Sequence, residues 1–128
     1  MAVVENQFAG YVTVNWASMY PGFQECNIPE IQDLNVLPKF RRQGVGTRLL
    51  NRAEEEVARH SAIVGIGFGL HPGYGSAQRL YVKRGYIPDG RGVWDGDHVV
   101  EEGMEAVFND DLVLHVTKLL RSDESRSQ

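Results

Sequence analysis

The sequence has almost no cysteine and few histidines. Cys26 is the single cysteine in 128 residues, which excludes an internal disulfide and any metal site built from several cysteines. We expect its thiol to be buried or inert. The histidines show no i,i+4 pair or other spacing typical of metal ligands, so we expect no bound metal; they are His60, His71, His98 and His115.

Long apolar runs and an excess of positive charge are also missing. No stretch approaches the length of a membrane-spanning helix. Residues 1–10, MAVVENQFAG, lack the basic start and apolar core of a signal peptide. We therefore expect a cytoplasmic protein without a membrane partner. The formal net charge of −4 gives no general reason to expect a nucleic-acid partner.

What the sequence does contain is enough apolar material for one core. Hydrophobic residues make up 42% of the chain, and we find no repeat, linker or domain boundary. We predict a single domain over residues 1–121, followed by a polar tail at 122–128.

Apolar patterns predict the order strand, strand, helix, strand, helix, strand, strand. Alternating or continuous apolar character predicts the strands, which lie at 8–17, 30–38, 62–70, 93–100 and 111–120. An apolar stripe predicts a helix from Val45 to Val57, and a second helix begins near Ser76 and ends at Gly85. Residues 18–29 are predicted to be a loop. This order describes a mixed sheet with helices packed on it, an α/β or α+β fold.

Charged side chains on the first helix are predicted to face water. Glu54, Glu55 and Glu56 form its outer face, and Arg52 and Arg59 lie four residues from Glu56 and Glu55 respectively. We expect weak surface ion pairs and no function for the three glutamates.

The third predicted strand carries Gly65, Gly67 and Gly69 at period two, so that one of its faces has no side chains over that length. A helix or a ligand can approach such a strip closely. On the last strand, His115 alternates with apolar neighbours and is predicted to face solvent or a sheet partner.

The first helix opens with the stretch FRRQGVG at residues 40–46. Gly is among the poorest helix formers, so Gly44 and Gly46 at a helix start are expected to expose backbone N–H groups. The first turn of a helix has N–H groups without intrahelical partners and the positive end of the helix dipole, which suits an anion. Arg41 and Arg42 add charge at the rim. The stretch therefore predicts a cradle for a pyrophosphate.

Two motifs follow one another along the chain. The first, [RQ]xxGx[GA], is filled by Arg41, Gly44 and Gly46. The second, an alanine shortly before LYxKxG[FY], is filled by Ala77, Leu80, Tyr81, Lys83, Gly85 and Tyr86. On these motifs, residues 8–120 resemble the GNAT superfamily of acetyl-coenzyme A dependent N-acetyltransferases.

The resemblance implies a mixed, mainly antiparallel sheet with helices on both faces, and acetyl-CoA as co-substrate. The coenzyme would lie where the strands at 30–38 and 62–70 splay apart, beside a bulge in the first of them. The backbone near Leu34 and Val36 would bind the pantetheine arm. The pyrophosphate would be held by the side chains of two arginines and by five backbone N–H groups that follow them. These residues are Arg41, Arg42, Gln43, Gly44, Val45, Gly46 and Thr47.

The sequence departs from the family in two places. A first strand and two helices usually precede the strand near residue 8 and build much of the acceptor pocket, and they are not found here. Tyr74 stands where the family often has an asparagine at the start of the second helix. Without the N-terminal elements, apolar sheet surface around Phe8, Val12 or Trp16 is expected to be uncovered, which favours a homodimer.

Acetyl transfer to an amine requires a base and an acid. Glu30 begins the cofactor strand, shares parity with Leu34 and Val36, and stands where acetyltransferases of this kind often carry a base. Asp33 is the competitor, and an ordinary strand-edge carboxylate is the alternative. The resemblance gives Tyr81 as the proton donor to the departing thiolate, with a buried core tyrosine as the alternative. A backbone N–H near Val36 would stabilise the oxyanion.

The resemblance implies N-acetyl transfer to a primary amine by direct attack in a ternary complex. Between Tyr86 and Asp111 there are eight acidic side chains and one basic side chain, Arg91, a balance that suits a cationic acceptor. Two alternatives stay open. One is a module that binds acyl-CoA without turnover, and the other is a subunit whose acceptor site is completed by another chain.

Overall fold

Strands and helices alternate through most of the chain. A computed structural model describes residues 2–4, 7–37, 39 and 44–121. The strands are β1 (Ala2–Val4), β2 (Gln7–Asn15), β3 (Glu30–Val36), β4 (Ile63–Gly69), β5 (Ile87–Asp95), β6 (His98–Val99) and β7 (Leu112–Leu119). The helices are α1 (Pro21–Gln24), α2 (Val45–Ala58) and α3 (Gly75–Lys83), with a 3₁₀ turn at Pro72–Tyr74 before α3. The predicted tail at 122–128 lies outside the described residues.

The strands form one sheet in the order β1-β2-β3-β4-β7-β5-β6. The β3–β4 pair is parallel, and the other neighbouring pairs are antiparallel. The prediction of a mixed, mainly antiparallel sheet is confirmed. β7 comes after all the other strands in the sequence, yet it lies between β4 and β5 and pairs with β4 from Ile63↔Leu119 to Gly69↔Val113.

The long helices α2 and α3 cover one face of the sheet, which we call the helix face. The β4 side chains of Val64, Ile66 and Phe68 are buried on this face. They belong to the main core together with Leu50 of α2 and Tyr81 of α3. Because side chains alternate along a strand, the intervening glycines of β4 lie on the other side, which we call the outer face.

Aromatic rings cover these glycines on the outer face. A Cβ added at any of the three would come within 3.0 Å of the ring above it; the pairs are Phe23 at Gly65, His115 at Gly67 and Tyr74 at Gly69. The strip is therefore covered by aromatic side chains of this chain, one of which belongs to a short helix. Phe23 comes from α1, a single turn with Pro21 at its start, in the segment predicted to be a loop.

One predicted strand is wrong for a local reason. The strand predicted at 93–100 is a hairpin, since β5 ends at Asp95 and β6 starts at His98. Gly96 has φ 62°, a conformation that glycine adopts readily and that tight hairpin turns require. The start of α3 at Gly75 agrees with the predicted start near Ser76, and its N-cap is Tyr74, whose side chain makes no cap hydrogen bond.

The apolar surface expected around Phe8, Val12 or Trp16 is found at Trp16 and not at Val12. Val12 and Val14 pack against the core on the helix face, so the prediction that Val12 is uncovered is wrong. Trp16 is 48% exposed and makes an edge-to-face contact with His60, with ring centroids 5.3 Å apart. The side chain of Phe8 lies outside the described residues. The homodimer remains a prediction that loses part of its basis.

The structure bears on the expectations about the cysteine and about membrane-spanning helices. Cys26 is exposed and unpaired, so it is not buried as the first alternative had it. Within residues 2–4, 7–37, 39 and 44–121, no helix combines the length and the apolar character needed to cross a membrane.

Glu54 is a buried carboxylate that joins α2 to three other parts of the fold. It is 8% exposed, which contradicts the prediction that it faces water. Arg84, at the end of α3, donates from Nε to Oε2 at 3.0 Å, and Lys118 of β7 donates to Oε1 at 2.8 Å. The hydroxyl of Tyr86, just before β5, donates to Oε2 at 2.8 Å. Burial alone raises the pKa of Glu54, but these hydrogen bonds outweigh it and hold the pKa below its usual value.

Glu55 and Glu56, the neighbours of Glu54 on α2, are surface residues as predicted, but their ion pairs have a different spacing from the predicted one. The ion pairs are Arg52–Glu55 at 3.7 Å and Arg59–Glu56 at 4.0 Å, three residues apart and not four. All four side chains are at least 40% exposed, so these pairs contribute little to stability.

Replacing Glu54 with Gln should lower the free energy of unfolding by about 3 kcal/mol, because Arg84 and Lys118 would be left without a counter-charge in a buried position. Urea unfolding at neutral pH measures the change. Glu55→Gln, on the same helix with a side chain 67% exposed, is the matched control and should change stability by less than about 0.5 kcal/mol. Equal effects of the two substitutions would contradict the role given to Glu54.

His115 is buried, so the alternative that it faces solvent is wrong, whereas its ring covers Gly67, its partner residue on the neighbouring strand β4. His115 is 7% exposed and stacks on Tyr20, with ring centroids 3.5 Å apart and planes at 3°. Its Nδ1 has no hydrogen-bond partner in the described part of the chain. Burial lowers the pKa of His115 to about 4, although the nearby Asp89 carboxylate acts in the opposite direction.

This burial predicts a loss of stability in mild acid. Between pH 6.5 and about 4 the unfolded chain protonates His115 and the native chain does not, so unfolding becomes easier as the pH falls. The expected loss from His115 is about 2 kcal/mol between pH 7 and pH 5. His115→Phe keeps a ring on Tyr20 and should remove this part of the pH dependence, whereas His98→Gln, at an exposed position, should keep it. Chemical unfolding at a series of pH values makes the comparison.

Candidate functional site

The parallel strands β3 and β4 pair over only two residues. Their partners are Glu30↔Gly65 and Ile31↔Ile66, after which the two strands separate. Each remains held on its other side, since β3 pairs with β2 as far as Val36 and β4 pairs with β7 as far as Gly69. The predicted splaying is therefore observed, and it opens a fixed gap in the middle of the sheet, which we call the gap.

A bulge in β3 lies beside the gap, as the resemblance implied. The register with β2 shifts between Tyr11↔Asn35 and Thr13↔Gln32, so that two residues of β3 lie opposite one residue of β2. One of the two, Asp33, has φ 54°, a left-handed conformation that is uncommon outside glycine.

The bulge changes which β3 side chains share a face. Ile31 belongs to the main core on the helix face, and Leu34 and Val36 also pack on that face against residues of α2. In a regular strand Ile31 and Leu34 would point to opposite sides. Glu30 therefore lies on the outer face. Its parity with Leu34 and Val36 implied that the three side chains share a face, and this prediction is wrong because the bulge adds one residue to β3.

The start of α2 presents bare backbone to the helix-face side of the gap. Gly44 is the N-cap, has φ 75° and provides no side-chain bond to the first turn. There is also no acidic residue in the first turn to occupy the N–H groups of Val45, Gly46 and Thr47. This end of α2, residues 44–47, is what we call the cradle, and its N–H groups and helix dipole suit an anion.

The cradle and the gap meet in one cleft of about 700 Å³. Its walls come from β3, from the start of α2, and from the segment that leads into α3. The lining residues are Leu34, Asn35, Val36, Gly44, Val45, Gly46, Thr47, Gly73, Tyr74, Ser76, Ala77 and Leu80. We call this volume the cleft.

Six of the predicted coenzyme-binding residues thus lie together around the cleft. Arg41, Arg42 and Gln43 lie outside the described residues. The predictions missed the wall formed by Gly73, Tyr74 and Ser76, although the departure from the family pattern at Tyr74 pointed to that place. Among the described residues, no group of three or more His, Cys, Asp or Glu side chains is arranged to hold a metal ion.

Glu30 lies at the narrow end of the gap, on the outer face. Its Oε1 accepts a hydrogen bond of 2.6 Å from the hydroxyl of Ser18, which is itself buried. Asp33, the competing carboxylate, is exposed at the bulge. Both candidates border the gap, and they differ in the face and in the degree of exposure.

Tyr81 is a buried residue of α3, 6% exposed, and it is not among the residues that line the cleft. Its ring packs near Phe68 of β4, with centroids 5.9 Å apart, and near Tyr86 at the same distance. Leu80, the preceding residue of α3, does line the cleft. Burial raises the pKa of Tyr81, so its phenol keeps its proton at neutral pH.

The sequence matches the family described as "Acetyltransferase (GNAT) domain" over residues 1–88. A curated relative, an uncharacterised N-acetyltransferase from Archaeoglobus fulgidus, is 35% identical over 57 residues, which make up 43% of this chain and 37% of the relative.

Solved structures share the fold over nearly the whole chain. A GNAT-family protein from Desulfovibrio desulfuricans superposes with a TM-score of 0.67 at 15% identity, covering 93% of this chain and 65% of its own. A Salmonella typhimurium protein, solved with its cofactor acetyl-CoA, gives 0.63 at 17%, covering 93% and 62%. The aminoglycoside 6′-acetyltransferase type Ii gives 0.62 at 25%, covering 94% and 67%. The chain thus spans 37% of the curated relative's length and 62–67% of these solved proteins.

Gly46→Ala separates the cradle from the stability of the fold. The added Cβ would meet only the side chains of Leu80 and Val36, both at 3.8 Å, so the fold should accept it. Alanine should even stabilise α2, by up to about 1 kcal/mol. Because both neighbours line the cleft, the same methyl group would enter it, and we expect at least about a tenfold weaker Kd for coenzyme A.

Calorimetric titration with coenzyme A and thermal unfolding measure the two effects of Gly46→Ala. Arg52→Ala, at an exposed position of the same helix, should leave coenzyme affinity unchanged. If Gly46→Ala binds coenzyme A with unchanged affinity, the assignment of the cradle to the coenzyme-binding site is wrong.

Proposed function

This chain belongs to the GNAT family, and we propose that it transfers an acetyl group from acetyl-CoA to a primary amine. The observation that carries the proposal is the gap between β3 and β4, which opens directly beside the bare start of α2. A thioester arm fits along a strand edge, and a pyrophosphate fits a helix N-terminus without acidic side chains.

The coenzyme is held by two kinds of backbone group in this proposal. The strand edge near Leu34 and Val36 binds the pantetheine arm, and the N–H groups of residues 43–47 bind the pyrophosphate, with Arg41 and Arg42 at the rim. The volume of the cleft, about 700 Å³, is within the range of pockets that hold cofactor-sized ligands.

The reaction is a direct attack in a ternary complex. Glu30, directly or through a water, takes a proton from the acceptor ammonium, and Asp33 is the competing base. The amine nitrogen then bonds to the thioester carbonyl carbon, and a backbone N–H at the bulge near Val36 stabilises the oxyanion, an effect typically worth about 3 kcal/mol. The carbon–sulfur bond breaks, and the leaving thiolate receives a proton from Tyr81. The nitrogen of the new amide releases its remaining extra proton, which returns through water to the Tyr81 phenolate.

Two observations support these roles. Glu30 lies at the narrow end of the gap on the outer face, opposite the helices, so that base and coenzyme would approach the reacting carbon from different sides. Tyr81 packs on Phe68 of the strand that borders the gap, and burial keeps its phenol protonated, as an acid requires.

The acceptor proposed is a cationic amine. The segment from Tyr86 to Asp111 carries eight acidic side chains and one basic side chain. In the described structure, residues 101–106 of this segment are exposed and have no helix or strand. A negative surface raises the local concentration of cations and speeds their encounter with a nearby site.

Calorimetry with coenzyme A, followed by a screen of primary amines in which released coenzyme A thiol is measured, tests the activity. We expect binding, and turnover with at least one cationic amine. Binding without turnover on any amine would favour the non-catalytic module, and absence of binding would refute the proposal.

A comparison of two tyrosines tests the proposed acid. In Tyr81→Phe the ring and its packing stay, so kcat should fall by about 10² to 10⁴ while the Kd of acetyl-CoA changes little. Tyr86→Phe is the matched control, since its hydroxyl binds Glu54 and not the cleft. It should lower stability and leave kcat within about twofold. If Tyr81→Phe turns over at the wild-type rate while chemistry limits kcat, Tyr81 is a core residue only.

A further inference from the structure

We propose that the ring of Tyr74 is the wall of the cleft against which the pantetheine arm packs. The inference rests on the proposed function, since it requires the cleft to bind coenzyme A. Tyr74 does not match the asparagine that the family often has at this position, so the sequence motif leaves its role open.

The position of Tyr74 places its ring on the β4 side of the gap. Tyr74 lines the cleft, whose other walls include Leu34 and Val36 of β3. Its ring also covers Gly69, the last residue of β4, so closely that a Cβ there would overlap it. Gly69, at the wide end of the gap, has no side chain on this face of β4, and the Tyr74 ring covers it.

Contacts outside the cleft fix the orientation of this ring. Burial and the nearby carboxylate of Asp110 raise the pKa of the Tyr74 hydroxyl, and Asp110 is not among the residues that line the cleft. The ring of His71 meets that of Tyr74 at 66°, with centroids 4.8 Å apart, and His71 Nε2 lies 2.5 Å from Asp110 Oδ1. Because its hydroxyl lies near Asp110, which is outside the cleft lining, Tyr74 offers ring carbons to the cleft.

The nearby backbone is also occupied. The carbonyl of Gly69 accepts a hydrogen bond of 2.8 Å from Gln78 Nε2 of α3. Because the Gly69 carbonyl already accepts the Gln78 hydrogen bond, the surface of this wall is mainly the aromatic ring of Tyr74. Such a surface suits the methylene and methyl groups of pantetheine, whereas the amides of pantetheine suit the strand edge of β3 on the opposite wall.

The nucleotide is assigned elsewhere in the cleft. The anion-binding N–H groups belong to the start of α2, so the 3′,5′-ADP part of the coenzyme is held from that side. Tyr74 should consequently affect the binding of coenzyme A and not that of 3′,5′-ADP, which lacks the pantetheine arm.

Calorimetric or competition titrations with coenzyme A and with 3′,5′-ADP test this division. Tyr74→Ala should weaken coenzyme A binding about tenfold, the loss expected when roughly 55 Å² of apolar contact is removed, and leave 3′,5′-ADP within about twofold. Tyr74→Phe keeps the ring and removes the hydroxyl, so it should weaken coenzyme A binding less than Tyr74→Ala does. Gly69→Ala displaces the ring without removing it and should reproduce the selective loss.

The outcomes separate this inference from the proposed function. If wild type does not bind coenzyme A, both fail. If wild type binds and Tyr74→Ala binds equally well, or if Tyr74→Ala loses both ligands to the same extent, the pantetheine wall alone is refuted. Thermal unfolding of each variant excludes a general loss of structure, and Gly69→Ala decides the matter should Tyr74→Ala fail to fold.

Discussion

The short contact between β3 and β4 is the constraint on which the site depends. Adjacent strands normally satisfy each other's backbone groups, and these two do so over two residues only. The gap is not a frayed end, because β2 holds β3 and β7 holds β4 on their far sides. The cleft, the cradle at the start of α2 and the wall formed by Tyr74 all exist because the two strands stay apart in an otherwise continuous sheet.

Most of the fold could be predicted from the sequence because its signals are local. Apolar periodicity located β2, β3, β4, β7 and α2 to within a few residues. Glu54 was misplaced, and the burial of His115 was not predicted, because their surroundings come from distant parts of the chain. Lys118, which donates to Glu54, lies 64 residues further along the chain. Tyr20, which stacks on His115, lies between β2 and β3 and is also distant in the sequence. No pattern within one element contains that information.

The candidate site could be predicted in part, and its errors have one main cause. The glycine motif gave the cradle, and the resemblance gave the gap and the bulge. The predicted face of Glu30 was wrong because parity along β3 was counted as if the strand were regular. The residue type of Asp33 alone does not predict a φ of 54°. The contribution of Tyr74 was missed because it depends on a bare glycine, Gly69 at the end of β4, which lies five residues before Tyr74 in the sequence.

The central place of β7 has a consequence for synthesis on the ribosome. Residues 112–119 are made after every other strand of the sheet, yet they supply the strand that joins β4 to β5. Until they leave the exit tunnel, the nascent chain holds two separate sheet fragments with open edges, and β4 exposes one long side. Closure of the sheet is therefore a late event, and chains that stop before Leu112 present two unpaired strand edges to chaperones and to one another.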